Sequence, residues 1–180
     1  SIFFILFLPP QFKFYTWLLK NAVTILSKMN YIHSSNLLKK SLQKNPEKLL
    51  YTNESDLVKK IKKDSAYKKI LSILKKEIEN GSLNGQVILG DVNKGLNVNF
   101  EDTDLQFSLH GIKKIDYLAF KKNSKFYNLH FRLFDIYDFD ATNYDPLIWI
   151  PVKMADDLEQ IGILKNFEIE IQIYDSITFQ

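Results

Sequence analysis

The hydrophobic period of this 180-residue chain changes once, near Gly85, and that change limits the possible folds more than any other feature. Before it, apolar residues recur at helical spacing. Phe14, Trp17, Leu18, Val23 and Leu26 predict a helix over Phe12–Met29, and a second over Ser34–Gln43 is closed by Asn45-Pro46. The run Asn53-Glu54-Ser55-Asp56 offers caps for a short basic helix through Lys63. Tyr67, Ile70, Leu71, Leu74 and Ile78 mark a helix over Ser65–Glu79, ended by Asn80-Gly81. After Gly85 the period is two. Gln86–Leu89 reads as a short strand, and Leu96/Val98/Phe100, Leu105/Phe107/Leu109 and Phe167/Ile169/Ile171/Ile173 alternate as strands do. Ile115–Phe120 and Phe126–Phe134 flank the loop Lys121–Lys125 as a hairpin. Leu147–Val152 is apolar but interrupted by Pro151, and Ala155–Leu164 reads as one short helix. N-terminal amphipathic helices followed by a mostly antiparallel sheet or partial barrel, with one inserted helix, make an α+β fold.

Charge divides along the same line. Ser1–Leu83 carries 15 Lys and 6 acids, a balance of +9, whereas Asn84–Gln180 carries 8 Lys, Arg132 and 15 acids, a balance of −6. Arg132 is the only arginine, and nucleic-acid readers lean on arginine forks, so no nucleic-acid partner is expected. The absence of Cys excludes disulfides, thiolate nucleophiles and Cys-ligated metals. The apolar run Ile2–Leu8 before Pro9-Pro10 is too short to span a bilayer. It reads as the tail of an upstream signal or membrane segment, or as a core-packing segment. Residues 1–64 are accordingly expected to form a helical N-terminal region, the remnant of something longer, and 65–180 the main domain.

Chemistry concentrates in Phe134-Asp135-Ile136-Tyr137-Asp138-Phe139-Asp140, which continues into Ala141–Asp145. Carboxylates at Asp135, Asp138 and Asp140 suit a hard divalent cation (Mg or Ca), or divided base and electrostatic roles at a phosphoester. The plainer alternative is an acidic turn at a strand end. An EF-hand fails, because its sixth position is Asn143 and its twelfth Trp149. His33, His110 and His130 lack paired metal spacing, no G-x-S-x-G elbow exists, and Gly90–Gly95 is a turn without the P-loop signature.

Asp135, Tyr137, Asp138, Phe139 and Ala141 occupy the positions of D-x-Y-D-F-x-A, and here the chain resembles the activity domain of colicin M, the bacteriocin family that hydrolyses lipid II. The likeness spans residues 65–180. It implies a secreted antibacterial toxin acting in the periplasm, or at the outer face of the target cell's inner membrane. Its substrate would be the lipid-linked peptidoglycan precursor at a membrane surface, and an immunity protein its partner. On that reading Asp135 and Asp138 bind metal or orient water, and Tyr137 hydrogen-bonds the phosphate. The family's His-Arg pair falls on Tyr144 and Asp145. On a regular strand His130, Arg132 and Asp138 share one face and Asp135 and Tyr137 the other. His130 as base and Arg132 as phosphate clamp would replace the missing pair on the first face; on the second, positive charge must come from a metal or another strand. The alternative is a non-catalytic or degenerate module that binds an anionic surface or a partner protein.

Overall fold

The computed structural model describes residues 9–109, 111–139 and 146–179. The elements in order are α1 (Pro10–Lys28), α2 (Ile32–Ser41), β1 (Leu49–Tyr51), α3 (Asp56–Lys63), α4 (Ser65–Glu79), β2 (Asn84–Ile88), α5 (Thr103–Ser108), β3 (Lys114–Lys121), β4 (Phe126–Tyr137), α6 (Pro146–Gln160) and β5 (Phe167–Thr178). Five strands form one open mixed sheet in the order β1-β5-β4-β3-β2. β1 runs parallel to β5, while β2–β3 and β3–β4 are antiparallel. The fold is α+β, with helices before sheet. Two compact units divide the chain, residues 1–47 with 137–167 and residues 48–136 with 168–180.

In the second unit the sheet has one covered and one open face. Ile115, Tyr117, Ala119, Leu129, Phe131 and Leu133 are buried on the covered face, together with Ile169, Ile171 and Ile173 of β5. Helices α3 and α4 supply Leu57, Val58, Ile61, Ile70 and Leu74, each fully buried, and Tyr67 stacks on Phe131 with centroids 6.3 Å apart. Local chemistry starts and stops these helices. Ser55 Oγ accepts the Val58 N–H at the start of α3, and Asp64 Oδ1 the Ala66 N–H at the start of α4. Helix α4 ends where Gly81 N–H donates to Ile78 and Ser82 N–H to Glu77, with Gly81 at φ 89°.

Three expectations are corrected. Leu105/Phe107/Leu109 belongs to helix α5 and its C-cap, not a strand. Leu105 and Leu109 stand four apart as well as an even number apart, so both periods fit them, and the Asp102 side chain decides by capping Leu105 N–H at 3.0 Å. Leu96/Val98/Phe100 alternates with Val98 and Phe100 buried, but it joins no ladder among the described residues. Side chains hold it instead: Lys69 Nζ reaches Asn97 Oδ1, and Gln106 donates to the Phe100 carbonyl. Finally, Pro151 does not divide two elements; α6 runs through it from Pro146.

In the first unit α1 packs against α2 and α6. Ser35 Oγ donates to the Val23 carbonyl at 2.8 Å, and Ser41 Oγ to the Lys165 carbonyl at 2.8 Å. Tyr137 is buried, with its ring 5.1 Å from Phe139 and 5.3 Å from Phe167.

Candidate functional site

Strand β4 alternates strictly from Leu129 onward. Leu129, Phe131, Leu133, Asp135 and Tyr137 are buried, while His130, Arg132 and Ile136 are exposed. The parity expected from the sequence therefore holds for Asp135 with Tyr137 and for His130 with Arg132. Asp138 is different. It lies one residue past the end of β4. Asp138 is half-buried, and its charge acts on Glu159. Burial first, then the negative charges of Asp138 and Asp156, raise the Glu159 pKa against the opposing N–H of Phe139 at 3.0 Å. Asp140, Tyr144, Asp145 and His110 lie outside the described residues.

The open face carries a row of charge that the sequence did not reveal. Antiparallel register sets Arg132 opposite Asp116, and Asp116 opposite Gln86. Arg132 Nη2 lies 3.3 Å from Asp116 Oδ2 and its Nη1 3.5 Å from Glu170 Oε1, while Lys48 Nζ meets Glu170 Oε2 at 2.6 Å. Lys114 joins Asp116 at 3.4 Å, and Gln86 Nε2 donates to it at 2.9 Å. Chiefly through the Lys48 hydrogen bond, and against its own burial, Glu170 is held below the ordinary carboxylate range. Three cations also gather on one ring: Lys114, Arg132 and Lys48 stand 4.2, 5.4 and 5.6 Å from the Phe134 centroid.

Grooves flank this row. One of about 480 Å³ is lined by Lys48, Lys113, Lys114 and Asp135 with Ile88, Phe134, Ile136, Glu168 and Ile169. Asp135 is 2% exposed, and its Oδ1 accepts the Ile136 N–H at 2.9 Å. The other groove, of about 280 Å³, holds His130 and Arg132 with Asp116, Leu118, Gln172 and Tyr174. There the His130 ring lies 4.4 Å from Tyr174 and 5.1 Å from Phe120. Asp135 and the His130/Arg132 pair thus sit on opposite faces of one strand; Lys48 and Lys114 lie with Arg132 around Phe134, and Asp135, its side chain buried, joins the groove lining from the covered side. Among the described residues no three His, Asp or Glu side chains are grouped to hold a metal ion.

Lys48, Lys113, Lys114, Asp116 and Glu170 escaped the sequence reading. Only Lys113-Lys114, a basic pair opening an apolar strand, carried a local signal. Comparisons with protein-family models, curated proteins and solved structures find no match for the chain.

Proposed function

We propose that the groove bearing Asp135 binds a lipid-linked pyrophosphate, and that the protein is a secreted antibacterial effector hydrolysing lipid II. The observation that supports this reading is the gathering of Lys48, Lys113 and Lys114 in one groove with the apolar side chains of Ile88, Phe134 and Ile136. Phosphoryl transfer gains most from positive charge aimed at the phosphate oxygens, and lysines supply it without the family's His-Arg pair. The apolar wall suits the first isoprenoid units. Asp135 is assigned to orient the attacking water, whose oxygen bonds to phosphorus as the phosphoester bond breaks, and the leaving oxygen takes up the proton. Arg132 stands at the margin, already bridged to Asp116 and Glu170, and His130 belongs to the neighbouring groove. On this reading the protein acts at the outer face of the target cell's inner membrane, and an immunity protein covers the groove.

One observation favours the non-catalytic alternative: Asp135 is buried and already accepts a backbone N–H. The assay is release of the pyrophosphate-linked headgroup from lipid II, with Mg, with Ca and with chelator. Asp135→Asn is expected to lower turnover by about a hundredfold or more, and Lys114→Gln by about tenfold with a raised KM. A wild-type protein inactive under all three conditions, or an Asp135→Asn variant of full activity, would overturn the hydrolase reading.

A further inference from the structure

The outer face of α1 remains exposed although it is apolar. Phe14, Trp17, Ile25 and the C-cap residue Met29 are 54%, 59%, 54% and 55% exposed. At about 100° per residue these four fall within roughly 120° of arc, together with Leu18, and the polar residues Asn21 and Lys28 share it. Thr16, buried at 4% exposure, marks the opposite side. A helix packed in a folded unit needs one apolar face, and these exposed apolar side chains lie outside the one that holds Thr16. The Phe14 and Trp17 rings stack with centroids 6.1 Å apart, which gives the stripe a broad aromatic end.

Charge narrows what this face can meet. Helix α1 contains Lys13, Lys20 and Lys28 and no acidic residue. The preceding sequence from Ile2 to Leu8 is apolar and uncharged, so the first acid in the chain is Glu47. No helix among the described residues is long and apolar enough to cross a membrane. An exposed Trp/Phe/Ile/Met stripe with lysines and no acids suits a helix lying along a membrane surface, where Trp favours the boundary between headgroups and chains.

We propose that α1 docks in the plane of an anionic lipid bilayer, with Phe14, Trp17, Ile25 and Met29 seated below the headgroups and the lysines among the phosphates. The proposal stands apart from lipid II hydrolysis, because it needs only bulk anionic lipid.

The test is flotation of the full chain with vesicles of phosphatidylglycerol and phosphatidylcholine, or of phosphatidylcholine alone, neither containing lipid II. The protein is expected to float with the anionic vesicles and to detach as salt rises. In a Trp149→Phe background, Trp17 fluorescence should shift to the blue on binding. The Phe14→Ser/Trp17→Ser/Ile25→Ser variant, its circular dichroism unchanged, should bind at least about tenfold more weakly. Each Lys13→Gln, Lys20→Gln or Lys28→Gln change should cost about fivefold on anionic vesicles. Failure of the wild-type protein to float, or equal flotation by the apolar-stripe variant, would overturn the proposal. So would a lipid-free dimer that the same variant abolishes in a protein that does not float, since a second copy would then own the stripe.

Discussion

Asp64 joins two stretches of backbone that are far apart in the chain. Its Oδ1 accepts the Ala66 N–H at 2.9 Å, which starts α4, and its Oδ2 accepts the N–H groups of Glu101 and Asp102 at 3.0 and 2.9 Å. The residue is 8% exposed, so water does not readily replace the carboxylate. Asp64→Ala removes a helix cap and the anchor of the segment before α5. It should lower unfolding free energy by about 2–4 kcal/mol, read from urea midpoints. Asp64→Asn keeps one acceptor and should lose less. Equal stability of wild type and Asp64→Ala would show that the segment is held by other contacts. Asp104 poses a related problem nearby: its carboxylate, 2% exposed, pairs with Lys60 at 3.1 Å. Burial works against the Lys60 ammonium, but hydrogen bonds to Asp102 and Asp104 outweigh it and raise its pKa.

Helix α4 was the plainest element in the sequence and matches its expected bounds, Ser65–Glu79, because cap, apolar spacing and terminator agree. Its end depends on Gly81 at φ 89°, where an added Cβ would meet nothing within 4 Å. The cost of Gly81→Ala is therefore conformational alone, about 1 kcal/mol by thermal or urea unfolding. A much larger loss would mean that the site is crowded. Helix α5 shows the opposite case. Six residues give too few periods to separate helix from strand, so the outcome turned on the Asp102 cap.

Across the sheet as a whole, a polar row runs from Lys48 through Glu170, Arg132 and Asp116 to Gln86, spanning the sheet from the β1 side to β2. Such a row ties register to charge, since a one-residue slip would turn its members to the covered face. Glu170 titrates below its ordinary value of 4.5 in the folded protein. A lowered carboxylate pKa adds stability at pH values above the unfolded value, and that stability is lost as pH falls through the folded one. Urea midpoints measured from pH 7 to pH 3 should therefore fall more steeply in wild type than in Glu170→Gln. Parallel curves would show that Glu170 is not held in its charged form by this row.

The helices Pro10–Lys28, Ile32–Ser41, Asp56–Lys63 and Ser65–Glu79, and the strands around Phe126–Phe134 and Phe167–Ile173, could be read from the chain alone. Their period and caps are local properties that record which side of each segment is buried. The same alternation correctly put Asp135 and Tyr137 on one face of β4 and His130 and Arg132 on the other. It could not separate the unpaired Leu96–Phe100 segment from a strand, because pairing requires a partner that alternation does not name. Nor could it find β1, whose three residues are shorter than any useful period. The candidate groove was hidden for the same reason. Lys48, Lys113, Lys114 and Asp135 come from three separate stretches of chain, and only strand order and register bring them to one end of the sheet. Periodicity decides which way a side chain faces, and tertiary pairing decides what it meets there.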